Sequence, residues 1–216
     1  MMWPTMIVDD FFPDPERIVK FSKTLPYNNT DGLYPGQRSE KLHLVDKSFF
    51  DWSTAKIIAL LYPMQSNTKI LNWKAIQMFQ RVPPKVYGDA GWVHHDHFSE
   101  ITSVIYLSHN KNSGTSLHKS KHFAVGPDYN EEKEDFYKTL KNKEQAELFR
   151  KKSNDKFEKT VDMQSKFNRL VMFDSHHWHQ TTDHMTDDTE RLTLITFFME
   201  ITGEGIRYPI PTMRRV

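Results

Sequence analysis

The 216-residue chain contains no cysteine, which excludes disulfides, thiolate metal sites and cysteine nucleophiles and points to a reducing setting. Its 29 Lys+Arg against 28 Asp+Glu leave a formal charge of +1, so no global field steers it toward nucleic acid or anionic lipid. The length suits a single domain over residues 1–216, and no secretory layout or apolar run of roughly 18 residues is present, so a cytoplasmic protein is expected.

Residues 6–12 read as a short entry strand, and Pro13-Asp14-Pro15-Glu16 opens a helix. There Asp14 caps free amides and Pro15 takes the first helical position, where a missing N–H costs nothing. Residues 26–40, dense in Asn, Gly and Pro, are expected to be an irregular loop. A second helix is predicted over residues 49–62, with Pro63 as its stop. Both helices are expected to flank a sheet. From Trp73 to Val82 the period changes to two and marks a strand, closed by Pro83-Pro84. Further strands are predicted over 101–108, 115–117, 122–125, 167–174 and 191–200. Between them, residues 129–166 are rich in Lys and Glu with sparse apolar positions, the pattern of a helical insert. Many short strands with regular turns predict a mainly β protein, a sandwich or rolled barrel.

The chemistry concentrates in His94-His95-Asp96-His97. In extended backbone, side chains two apart share a face, so His94 and Asp96 point together while His95 and His97 point away. A histidine and a carboxylate on one face supply two legs of a 2-His-1-carboxylate site for non-haem Fe(II). A third leg is available where the later strand ends, at His176, His177 or His179. Asp174 is placed either to orient a ligand histidine or to cap the turn. Trp178 and Phe197 are candidates for a pocket wall as well as for the core, and His118, Lys119, Lys121 and His122 make a small basic cluster.

The order of these parts is more specific than any one of them. His94-His95-Asp96, then Val104-Ile105-Tyr106-Leu107, Ser113-Gly114-Thr115, the run from Arg169 to His179, and Arg191-Leu192-Thr193 resemble the 2-oxoglutarate- and Fe(II)-dependent dioxygenases. The small prolyl-hydroxylase-like members of bacteria and phages are the most similar. The Tyr34-Pro35-Gly36-Gln37-Arg38 loop also looks like one that precedes the core in some of these proteins. The resemblance implies a double-stranded β-helix, or jelly roll, with N-terminal flanking helices and the helical insert. It implies Fe(II) held by His94, Asp96 and His179, and 2-oxoglutarate paired with Arg191 and assisted by Thr193 and Tyr106. Hydroxylation of an unidentified substrate by dioxygen would follow. A cupin-type metalloprotein, which would need the metal but not Arg191 or Thr193, and a non-catalytic jelly-roll binding module are the alternatives.

Overall fold

The computed structural model describes residues 3–29, 34–62, 71–84, 90–109, 112–121, 143–183 and 189–203. In chain order these form β1 (Met6–Val8), α1 (Pro15–Ser22), β2 (Tyr27–Asn29), β3 (Gln37–Ser39), α2 (Leu42–Val45), α3 (Lys47–Ile58) and β4 (Leu71–Val82). There follow β5 (Ile101–Tyr106), β6 (Thr115–Ser120), α4 (Lys143–Asn154), β7 (Phe157–Met163), β8 (Leu170–Asp174), β9 (Trp178–Thr181) and β10 (Arg191–Gly203). A seven-stranded antiparallel sheet has the order β1-β8-β5-β10-β4-β3-β2, and a three-stranded sheet has the order β7-β6-β9.

The local signals act as expected at the helix starts. The Asp14 carboxylate accepts the Arg17 amide at 3.1 Å with Pro15 at the first turn. Asp46 accepts the Phe49 amide at 2.9 Å and starts α3 two residues before the predicted point. The helix ends at Ile58, and Pro63 lies outside the described residues.

Strand pairing divides the large sheet into two unlike faces. On one, Phe79 of β4, Ile105 of β5, Leu170 of β8 and Leu194 and Phe198 of β10 pack with Ile18, Leu42, Ile57 and Ile58 of the three N-terminal helices. On the other, Val104, Tyr106, Val171 and Phe173 meet Leu117 and Met163 of the small sheet. That second cluster is the apolar floor between the sheets. Beyond it the same face carries Gln80, Arg191, Thr193 and Thr102, which alternate with the helix-facing apolar set.

Two expectations are corrected. Residues 26–40 do contain strands: β2 and β3 pair with each other, and β3 joins the edge of β4. Gly36 makes this possible, since it has φ +81° and a Cβ there would lie 2.1 Å from the Arg81 carbonyl oxygen. The insert over 129–166 is helical only in part: α4 ends at Asn154, and β7 then pairs with β6 as a member of the small sheet. Its alternating Phe157, Val161 and Met163 lie among charged residues, which hid the strand. The strand expected over 122–125 and residues 129–142 lie outside the described residues.

Candidate metal centre

The small sheet and the loop before β5 bring the predicted ligands together. His94 and His179 exchange two backbone hydrogen bonds, His94 N–H to the His179 carbonyl at 2.9 Å and the reverse at 2.7 Å. Their rings then lie 4.3 Å apart. Asp96 is not part of a strand, contrary to the parity argument. It is turned to the same side because its N–H donates to the Ser175 carbonyl at 2.8 Å and the Thr102 hydroxyl donates to its Oδ2 at 3.0 Å. One donor atom from each of His94, Asp96 and His179 lies within 4.8 Å of the other two.

The second ring nitrogens are committed. His94 Nδ1 lies 2.9 Å from the Trp92 carbonyl and His179 Nδ1 lies 2.8 Å from the His177 carbonyl. A carbonyl only accepts, so each neutral ring carries its proton on Nδ1 and presents the Nε2 lone pair to the shared space. His94 Nε2 is 3.8 Å from Asp96 Oδ1, and His179 Nε2 is 3.3 Å from Asp96 Oδ2. Burial pushes the Asp96 carboxyl up, but positive charge and a hydrogen bond from His179, with charge at His94 and the Thr102 hydroxyl, outweigh it and hold the group well below the usual range; a metal ion on the two Nε2 atoms would supply that positive charge when the rings are neutral. The result is a buried carboxylate between two imidazole lone pairs. Such a donor set fits a divalent ion of Fe(II) type and leaves coordination positions open.

Supporting bonds extend outward. Ser175 Oγ links to the hydroxyls of both Thr102 and Ser99 at 2.8 Å. Asn154, the last residue of α4, donates to the Gly91 carbonyl at 2.9 Å and accepts the Val93 amide at 2.9 Å. The partial helix of the insert is thus fastened to the loop that carries His94.

These ligands border a cavity of about 120 Å³, also lined by Tyr34, Arg38, Gln80, Thr115, Arg191 and Phe197. Arg191 is 5% exposed, and burial lowers its pKa against the raising effect of Tyr106. It donates long hydrogen bonds to the Ser113 carbonyl at 3.4 Å and the Thr193 hydroxyl at 3.5 Å. No carboxylate among the described residues is within ion-pair distance of it. Gly114 permits the close approach behind this corner, because a Cβ there would lie 2.2 Å from the Met163 carbonyl oxygen. The Tyr106 hydroxyl pairs with Thr115 Oγ1 at 2.8 Å, and its ring lies 5.7 Å from the Arg191 guanidinium.

The remaining candidates are distributed elsewhere. His95 meets the edge of Trp178 at 4.6 Å, and Trp178 packs on Phe157, so Trp178 belongs to a satellite core while Phe197 lines the cavity. His177 contributes its carbonyl, and the His176 ring is mostly exposed. Asp174 accepts the Trp3 and His176 amides, both at 2.9 Å, so it orients no ligand. In the basic cluster Lys119 pairs with Glu158 at 3.1 Å, and His122 lies outside the described residues. Gln80, Thr102 and Gln180 line the cavity without having been singled out in sequence, and Thr115, named there only as part of a turn, joins them. The polar members of otherwise apolar strands were their available signal.

Comparison with solved structures gives the same fold. HygX from Streptomyces hygroscopicus, with nickel and 2-oxoglutarate bound, superposes with a TM-score of 0.57 at 13% identity, over 90% of this chain and 82% of that one. SnoN, a non-haem alpha-ketoglutarate-dependent epimerase from nogalamycin biosynthesis, gives 0.55 at 13% identity over 91% and 78%. The Trichoplax adhaerens prolyl hydroxylase, in complex with a hypoxia inducible factor peptide fragment, gives 0.52 at 10% identity over 90% and 81%. The architecture is therefore the double-stranded β-helix of the 2-oxoglutarate and Fe(II) oxygenases. No curated protein matches the chain in sequence. A family profile does so across both sheets and the three candidate ligands, over residues 2–198, and by that match the chain belongs to the family of unknown function DUF6445.

Proposed function

We propose that this protein is an Fe(II)- and 2-oxoglutarate-dependent oxygenase that hydroxylates a C–H bond of its substrate. The observation that carries the reading is the convergence of His94, Asp96 and His179 on one space, with the buried Arg191 on the wall of the same cavity. His94 and His179 would hold the iron through Nε2 and Asp96 through its carboxylate. With Fe(II) and 2-oxoglutarate bound, reduction of dioxygen coupled to loss of carbon dioxide and formation of succinate supplies the oxidant.

The chain's own residues do the positioning. The carbonyls of Trp92 and His177 keep both imidazoles in the ligating tautomer. Thr102 fixes one Asp96 oxygen, which leaves the other to face the ion. Arg191 offers a planar fork for the distal carboxylate of 2-oxoglutarate, with the Thr193 hydroxyl beside it. Val104, Phe173, Ile195 and Phe197 give the cavity apolar walls, which exclude water from the reacting groups. A cosubstrate-free metalloprotein would leave this buried guanidinium without a role.

The test is turnover of 2-oxoglutarate to succinate in anaerobically reconstituted protein exposed to oxygen, with its binding measured on the Zn(II)-loaded form. His179→Ala should abolish turnover and Arg191→Gln should weaken 2-oxoglutarate binding by at least tenfold, as expected for loss of a charge-assisted pair. His95→Ala should keep both. Metal-loaded protein that fails to bind 2-oxoglutarate would overturn the reading.

A further inference from the structure

The cavity holds a second guanidinium that the cosubstrate does not require. Arg38 projects into it from β3, the strand that Gly36 allows to join β4. Its guanidinium lies 3.4 Å from the centroid of the Tyr34 ring and 5.9 Å from that of Phe197. Its Nε is buried with no hydrogen-bond partner, and among the described residues no carboxylate is within ion-pair distance. Burial accordingly lowers its pKa, with the Tyr34 and Asp96 charges acting in the opposite direction. A cation kept desolvated and incompletely paired at the edge of a cavity is unfavourable unless an anion completes it.

The register separates this group from Arg191. Arg38 stands opposite Gln80, and Gln80 stands opposite Thr193. Strands are about 4.8 Å apart, so the Arg38 backbone is roughly 10 Å to the side of Thr193 on the same face of the sheet. Arg191 lies two residues along β10 from Thr193. The two guanidiniums therefore address different parts of one space. Phe197, which lines the cavity, packs in turn on the half-exposed Phe98 at 5.1 Å. The cavity wall beside Arg38 is thus aromatic.

We propose that Arg38 is the residue that selects the substrate of this site, by pairing with a carboxylate carried on an apolar or aromatic body. Tyr34 and Phe197 take up that body, and the carboxylate engages the guanidinium from the side that lines the cavity. The word substrate rests on the oxygenase reading, whereas the anion site itself stands on Arg38 and its neighbours. Pairing at Arg38 fixes which carbon is presented to the ligand cluster and leaves 2-oxoglutarate to Arg191.

The test uses phenylacetate and its neutral counterpart phenylacetamide as probes, titrated calorimetrically into the full chain. Titrations are run on Zn(II)-loaded protein saturated with 2-oxoglutarate and again on protein without metal or cosubstrate. Wild type should bind phenylacetate at least tenfold more tightly than phenylacetamide. Arg38→Met should lose that preference, keep 2-oxoglutarate affinity within twofold, and melt at the same or a higher temperature because an incompletely paired buried cation is gone. Arg191→Met should show the opposite pattern, losing 2-oxoglutarate and keeping phenylacetate. Equal binding of the two probes to wild type in both states overturns the proposal. So does an Arg38→Met protein that loses 2-oxoglutarate affinity, or one that melts lower with phenylacetate affinity unchanged, the mark of a structural brace. Absence of 2-oxoglutarate binding to wild type would remove the oxygenase reading alone, since Arg38-dependent phenylacetate binding is read separately in the metal-free protein.

Discussion

The two faces of the seven-stranded sheet are built from the same strands and do opposite work. Along β10, Leu192, Leu194 and Phe198 enter the apolar layer beneath the helices, while Arg191, Thr193, Ile195 and Phe197 face the small sheet and the cavity. The helix-covered face is almost continuous hydrocarbon, interrupted by the Ser53–Gln77–Thr196 chain of hydrogen bonds at 2.7 and 2.9 Å. On the cavity face the polar groups line a space bordered by His94, Asp96 and His179. One face therefore supplies stability and the other supplies chemistry, and substitutions should divide accordingly.

The sharpest division is expected at Asp96→Ala. Divalent-metal affinity should fall by about 100-fold or more, beyond the range seen for outer-shell partners, and succinate formation should vanish with it. Calorimetric titration with Mn(II) reads the first, and far-ultraviolet circular dichroism should show the fold retained. Phe198→Ala is the converse. Removal of a fully buried ring on the helix side should cost about 3–5 kcal/mol in urea unfolding, with metal affinity of the folded fraction unchanged. A large loss of metal binding in that variant would break the separation of faces.

Thr102→Val tests the boundary between them. It removes the hydroxyl that holds Asp96 Oδ2 and should lower metal affinity by about tenfold, the lower end for an outer-shell hydrogen bond, with little change in melting temperature. The smallest effect concerns pH. Burial, followed by the charges of Lys159 and His179, lowers the His118 pKa from 6.5 to about 4. The unfolded chain then binds a proton in that interval and the folded chain does not, so the contribution is present above pH 6.5 and is lost as pH falls toward 4. His118→Gln should flatten this part of the dependence of urea midpoint on pH, only modestly because the ring is half-exposed.

The same contrast explains what could be read without coordinates. Long strands such as β4 and β10 announced themselves, because extended runs of β-branched and aromatic residues over 73–82 and 191–200 leave few other structures open. The grouping of His94, Asp96 and His179 was legible from their order along the chain, although the reason offered for Asp96 was not the operative one. A loop held by Ser175 and Thr102, and not a strand, aims that carboxylate. Short edge strands were not legible. β2 and β3 have three residues each and owe their pairing to the approach that Gly36 permits at Arg81, a tertiary fact with no local pattern. β7 was masked by charge, since five of its seven residues are exposed. Arg38 was visible only as part of a loop, and its role depends on which strand that loop joins.

The reciprocal amide pairing of residues 94 and 179 has a further consequence. It runs through main-chain atoms alone, so it is indifferent to the side chain at either position provided neither is proline. The polypeptide sets the spacing of two attachment points, and the groups hung on them are exchangeable. Replacing one imidazole by a carboxylate or an amide should therefore retune which divalent ion is accepted while the chain path stays as it is, making the bridge a natural starting point for redesigning the donor set.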